Sequence, residues 1–217
     1  MRQRLNPAEI PPTPNLAFET ALWEQGVLQV AGIDEAGRGC WAGPVTAAAV
    51  ILPPRAEILN TLDGVNDSKK LRPAQRDLWS KAIKKHAVAW GVGFASAEEI
   101  DQYGIVPATR LAVKRALSEL AVLPAYLLLD YLRLPDLCLG QTSLIKGDAR
   151  SLSIAAASIL AKTSRDAYMI EADGEFPEFQ FSSHKGYGTA AHWRAMCEHG
   201  ITPLHRHSFK PVMAILD

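Results

Sequence analysis

Val30-Ala31-Gly32-Ile33-Asp34-Glu35-Ala36-Gly37-Arg38-Gly39 is the stretch on which the architecture turns. An apolar run, Val27 to Asp34, reads as a buried strand that stops at two acids and a Gly-Arg-Gly turn. Neighbouring side chains on a strand point to opposite faces, so Asp34 and Glu35 share one site only if the chain leaves strand geometry between them. Gly37 and Gly39 make such a departure easy. An isolated Asp-Glu pair would more simply be a solvated hairpin turn, and the rest of the chain argues against that.

Outward from this strand, Pro44 to Leu52 reads as a second strand that forms a hairpin with the first. Pro73 to His86 has helical spacing, Val88 to Ala95 is strand-like, and Ser96-Ala97-Glu98-Glu99 is a capped helix start. Leu111 to Leu123 is helical. Ala125-Tyr126-Leu127-Leu128-Leu129-Asp130 then repeats the opening pattern, an apolar run too short for a helix that ends in an acid. Leu137 to Ile145 is a further strand, and Lys146-Gly147-Asp148 puts an acid just before a helix running from Ala149 to about Glu171. Alternating strands and helices around buried apolar runs predict an α/β fold with a mixed sheet flanked by helices. The division expected is a flexible, proline-rich lead-in over 1–15, one main domain over 16–173, and a C-terminal segment of different character over 174–217 with a final helix around Ala190 to His199.

Composition narrows the function classes. The 217 residues are 48% hydrophobic and 21% charged, with zero formal net charge, so the global basic excess of a non-specific nucleic-acid coat is missing. Basic residues cluster only locally, as at Lys69-Lys70, Arg110 with Lys114 and Arg115, and His184-Lys185. No apolar stretch reaches membrane-spanning length and the N-terminal segment has no apolar core, which predicts a cytoplasmic protein without membrane contact. Cys40, Cys138 and Cys197 are odd in number and far apart, and read as reduced structural thiols. His205 and His207 read as surface or phosphate-facing.

Asp34, Glu35, Asp130 and Asp148 each sit at the end of an element, and such ends converge in α/β sheets. Carboxylates gathered this way repel one another unless cations neutralise them, and hard oxygen donors suit magnesium or manganese. Two such ions can activate water and stabilise the leaving oxygen of a phosphodiester. A glycosidase would also use paired acids, but 7% aromatic content and lysine or arginine near most of the acids disfavour it. There is no P-loop and no serine elbow.

Taken together, Gly-Ile-Asp-Glu-Ala-Gly-Arg-Gly (32–39), Asp-Ser-Lys-Lys-Leu (67–71), Lys-Gly-Asp-Ala-Arg-Ser-Leu-Ser-Ile-Ala-Ala-Ala-Ser-Ile-Leu-Ala-Lys (146–162), His-Lys-Gly-Tyr-Gly-Thr (184–189) and Thr-Pro-Leu-His-Arg (202–206) resemble bacterial ribonuclease HII, the type 2 ribonuclease H. The resemblance runs in order from about Leu28 to Val212. It implies a ribonuclease H-like catalytic domain over 16–173 with a helical C-terminal extension over 174–217 that contributes substrate contacts, and a monomeric phosphodiester hydrolase using two divalent cations, Mg2+ or Mn2+. The implied substrates are RNA–DNA hybrids and duplex DNA containing ribonucleotides, cut on the 5′ side of the ribonucleotide to leave a 3′-hydroxyl and a 5′-phosphate, in DNA replication and repair. It further implies catalytic and metal-holding roles for Asp34, Glu35, Asp130 and Asp148, reading of the 2′-hydroxyl by Gly37, Arg38 and Gly39, and a sugar-stacking role for Tyr187. Ser68, Lys69, Lys146, His184 and Lys185, with Lys162, would track the phosphates. The chain departs from the usual pattern at Cys40-Trp41, where a proline and a smaller apolar residue are common, and at Tyr131, where a glycine is usual and a large ring would alter access to the acids.

Overall fold

The computed structural model describes residues 10–216, so most of the expected lead-in, residues 1–9, lies outside the described residues, as does Asp217. One mixed sheet of order β3-β2-β1-β4-β5 forms the centre. Its strands are β1 (Val30–Ala36), β2 (Val45–Ile51), β3 (Ala89–Ala95), β4 (Tyr126–Asp130) and β5 (Gly140–Leu144). β1 pairs antiparallel with β2 and parallel with β4, β2 pairs antiparallel with β3, and β4 pairs parallel with β5. The predicted hairpin and the buried strand ending at Asp130 are therefore both present.

Nine α-helices occur among the described residues: α1 (Ala17–Trp23), α2 (Ile58–Thr61), α3 (Pro73–His86), α4 (Ala97–Tyr103), α5 (Ile105–Ser118), α6 (Leu152–Glu175), α7 (Phe181–His184), α8 (Ala190–His199) and α9 (Lys210–Leu216). The bounds expected for α3 and, approximately, for α8 coincide with the observed ones, but α8 is not the final helix, since α9 follows it and buries Val212. The α4 start is the predicted capping box, with Ser96 Oγ accepting from Glu99 N and the Glu99 carboxylate accepting from Ser96 N. α5 begins six residues before the expected Leu111, because Gly104 with φ 81° breaks the chain only briefly between α4 and α5.

The pleat sorts the side chains. Ala31, Ile33, Val45, Ala47, Leu127 and Leu129 pack on one face of the sheet, against Ala108, Ala112, Val113 and Ala116 of α5. On the other face Ala48 and Val50 meet the small-residue run Ala155, Ala156, Ala157 and Ala161 of α6. The approach is close at Gly32, where a Cβ would stand 2.2 Å from the Ser153 carbonyl carbon, so any larger residue would push α6 off β1. A separate apolar cluster of Ala42, Met169, Phe179, Phe181, Met196 and Val212 seats the C-terminal helices against the far end of α6. The expected boundary at 173/174 falls inside α6. Asn15, placed by expectation in the lead-in, bridges to Ser151, accepting a hydrogen bond from Leu152 N at 2.8 Å.

Candidate active site

β1 carries both of its acids without breaking. The strand stays paired with β2 through Glu35↔Ala47 and Ala36↔Thr46, so the departure from strand geometry expected between Asp34 and Glu35 occurs only after Ala36, at Gly37 with φ 89°. Asp34 consequently lies on the α6 side of the sheet, in register with Ala48, and Glu35 is offset from it. Asp130, at the end of the neighbouring parallel strand, accepts a 2.7 Å hydrogen bond from Gly147 N. That contact docks the Gly147–Ala149 turn, preceded by Lys146 at φ 54°, and carries Asp148 to the same place.

The result is a carboxylate triad. One oxygen from each of Asp34, Asp130 and Asp148 lies within 4.8 Å of the others. Glu35 stands beside this triad and outside it, bonded at 3.0 Å to Arg38 through Oε1, while its buried Oε2 has no protein partner. Burial, reinforced by Glu35 and Asp130, holds the Asp34 carboxyl well above the usual range. Burial and Asp130 push Asp148 up to about 6. Burial also raises Glu35, against the opposing pull of Arg38, and raises Asp130 against the Gly147 N–H. Such a group of largely buried oxygen donors, crowded and short of internal partners, fits hard divalent cations.

An open cleft of about 480 Å³ leads to the triad, lined by Asp67, Lys69, Lys70, Lys146 and Tyr131 as well as Asp130 and Asp148. Burial lowers the Lys69 ammonium, but Asp67, Asp148, Asp34 and Asp130 outweigh it and raise the group, which keeps a cation facing the acids. Tyr131 is 61% exposed at the cleft rim and holds φ 56°, a backbone state that glycine adopts more cheaply. The Asp67–Lys70 segment is a short 3-10 turn capped by Asp67, which accepts from Lys69 N at 3.0 Å; the long helix begins later, at Pro73. Ser68 is buried and its Oγ accepts from Ser158 Oγ at 2.8 Å, so its hydroxyl faces α6 and not the cleft.

A second cleft, of about 580 Å³, is lined by Arg76, Lys162, Asp166, Ser183, Lys185 and Tyr187 among others. Tyr187 is 41% exposed, with the Lys162 ammonium 5.5 Å from its ring centre. Lys162 is tied at 2.6 Å to Asp166, which also pairs with Arg76. Lys185 Nζ donates to Ser182 O. His184 is turned inward: Nε2 bonds Phe179 O at 2.8 Å and Nδ1 accepts from Gly186 N, leaving neither nitrogen for a phosphate. His205, expected at the surface, is 1% exposed because the last segment folds back between α8 and the Gly-Arg-Gly turn. The Arg110, Lys114 and Arg115 cluster is engaged by Arg133 O, Asp136 and Glu99. All three cysteines are free, and only Cys40 is buried.

Three residues that support the site had no assigned role from sequence. Arg206, wholly buried, donates to Gly37 O, Arg38 O and Gly43 O at 2.7–3.0 Å and so fixes the Gly-Arg-Gly turn. Arg165, equally buried, bonds Ala42 O, Pro44 O and Lys185 O, tying the segment that follows that turn to the Tyr187 segment. Glu19 of α1 accepts from Ser151 Oγ, Ser153 N and Ser153 Oγ at 2.6–2.9 Å, which anchors the start of α6 just after Asp148. Arg206 lay within a recognised motif; an arginine in mid-helix and a glutamate in a short amphipathic helix carry no comparable sequence signal.

Comparison with known proteins agrees over nearly the whole chain. The profile of the family Ribonuclease HII matches residues 31–212. A Ribonuclease HII from Chloroflexus aurantiacus is 52% identical over 204 residues, covering 94% of this chain and 96% of that protein. Among solved structures, ribonuclease H2 from Pyrococcus horikoshii OT3 superposes with TM-score 0.68 at 24% identity, over 86% of this chain and 96% of that one. Bst ribonuclease HIII in complex with Mn2+ superposes with TM-score 0.66 at 18% identity, over 91% and 72%. These two share the mixed sheet with its flanking helices.

Proposed function

The chain belongs to the ribonuclease HII family, whose members are ribonuclease H hydrolases, and from that premise we propose that it nicks duplex DNA on the 5′ side of an embedded ribonucleotide and also cuts RNA in RNA–DNA hybrids. The products are a 3′-hydroxyl and a 5′-phosphate, and the task is removal of ribonucleotides from DNA by a monomer in the cytoplasm. The observation that carries this reading is the Asp34, Asp130 and Asp148 triad, with donor atoms within 4.8 Å and an unpartnered Glu35 oxygen beside it.

Asp34, Asp130 and Asp148, with Glu35, would hold two divalent cations, Mg2+ or Mn2+. When bound, the cations lower the pKa of an attacking water and stabilise charge on the phosphate and leaving oxygens. The remaining work is recognition. The 2′-hydroxyl is small and needs a donor and an acceptor at close range. A side chain at Gly39 would project into open space, so the fold does not itself require glycine there, whereas a substrate backbone pressed against that turn would. Arg38 would meet a phosphate, a role supported by its half-exposed guanidinium beside Glu35. Tyr187 offers a ring face to the sugar beside the scissile bond, and Lys69, Lys146, Lys162 and Lys185 extend a cationic track. Ser68 and His184 serve this track through the folding of their loops.

A duplex carrying one ribonucleotide, incubated with magnesium, manganese or chelator, tests the reading. The expected result is a metal-dependent nick 5′ to the ribonucleotide and none on all-DNA duplex. Cleavage of the all-DNA duplex, or no cleavage by folded protein, would overturn it.

A further inference from the structure

Behind the Tyr187 turn lies a line of buried histidines that plays no part in the chemistry proposed above. His192 of α8 is 0% exposed and His205 1%. His192 Nδ1 lies 2.9 Å from Tyr187 O, His192 Nε2 lies 3.0 Å from His205 Nε2, and His205 Nδ1 lies 2.9 Å from Thr202 N. Their hydrogen-bond partners leave only one arrangement of protons. A carbonyl oxygen can only accept, so His192 carries its proton on Nδ1 and its Nε2 is bare. His205 must then donate from Nε2, which leaves its Nδ1 bare to accept from the Thr202 amide. The amide, which can only donate, demands the same assignment from the other end.

We infer that His205 and His192 are positioning residues for Tyr187, a directional relay from Thr202 N–H to Tyr187 C=O that fixes the height of the tyrosine ring over the substrate strand. The inference rests on the reading of Tyr187 as the group that touches the sugar next to the scissile bond. His184 completes the cradle. Its ring stacks on His192 at 4.5 Å and 16°, its carbonyl accepts from Tyr187 N at 2.9 Å, and its Nδ1 accepts from Gly186 N. Gly186 and Tyr187 are thus each held by a directional bond to a rigid histidine ring. Apolar side chains of the same volume would fill the space, yet they would leave the Tyr187 carbonyl with only its bond from Thr189 N. A second proton on either ring would set N–H against N–H, which accords with the lowering of both groups to about 4, chiefly by burial.

The test compares kcat/KM on a duplex with a single ribonucleotide and on a continuous RNA–DNA hybrid. His192→Phe is expected to lower the ratio of the first to the second by about tenfold, as loss of a supporting hydrogen bond does. Tyr187→Ala is expected to lower it at least as far, and His192→Phe should add nothing in the Tyr187→Ala background. His192→Asn, whose amide can still donate to Tyr187 O, should recover part of the loss. Equal losses on both substrates, or additive effects in the double variant, would overturn the inference while leaving Tyr187 as the reader. An unchanged ratio in Tyr187→Ala would overturn the Tyr187 reading and the inference with it. Nitrogen NMR of the unaltered protein decides without any substitution: protonated Nδ1 on His192 and protonated Nε2 on His205 are expected, and the reverse pair would overturn the relay.

Discussion

Two buried polar regions flank the Gly-Arg-Gly turn, and they satisfy their hydrogen-bonding needs in opposite ways. At the sheet end, Asp34 accepts from the Glu35 amide and Asp130 from the Gly147 amide, Glu35 keeps a buried oxygen without a partner, and the acids push one another's pKa upward. Behind the turn, Arg165, Arg206, His192 and His205 lie as deep, yet their donors and acceptors meet carbonyls, amides or one another. The first region needs something from outside to complete it. The second is complete in the folded chain, and its bonds end on the Gly-Arg-Gly and Gly-Tyr-Gly backbones that border the first. Unmet electrostatic demand marks the place where a ligand belongs, and met demand marks what holds that place rigid.

Substitutions can break this contrast from either side. Asp130→Asn keeps an oxygen for the Gly147 amide and removes one charge from the triad, so cleavage is expected to fall by about a thousandfold, the scale of losing a central electrostatic element. Its melting temperature should not fall, since repulsion has been relieved; a clear drop would mean that the acids stabilise the apo fold. Arg206→Met acts on the other region. It strips donors from three carbonyls, two of them buried, at a cost of about 3 kcal/mol. For a chain of this length that lowers the melting temperature by roughly 10 °C, readable by calorimetry. An unchanged melting temperature would show that the turn is held by other contacts.

The smallest expected effect is in pH dependence. Acids whose folded pKa is raised bind more protons folded than unfolded, so their contribution worsens as pH rises through about 6, the value for Asp148. His192 and His205, lowered to about 4, have the opposite sign: their contribution is present above the ordinary histidine pKa and is lost as pH falls toward 4. Comparing magnesium with chelator cancels the histidines, which are common to both. The stabilisation by magnesium is therefore expected to grow by several degrees between about pH 5 and about pH 8. A magnesium effect independent of pH would place the cation away from these carboxylates.

The acids at the ends of apolar runs, the strands beside them and the bounds of α3 and α8 were legible because each depends on neighbours in the chain: periodicity, a proline at a helix start, a glycine after a helix end. Local pattern also set Asp34 and Glu35 on opposite faces, but the strand's continuation through Ala36 follows from pairing with Thr46, a contact made across the sheet. Which way a polar side chain faces was likewise settled at long range. Ser68 turns toward Ser158, His184 toward Phe179 O, and His205 toward His192, each of them drawn from a motif that reads equally well as phosphate-facing. Arg165 and Glu19 became visible only once distant carbonyls and hydroxyls had gathered around them. The sequence by itself determined the chemical groups and the elements that carry them, since both are local properties. Tertiary structure alone decided which of those groups face a ligand and which hold the fold, because burial and hydrogen-bond partners exist only after distant segments have met.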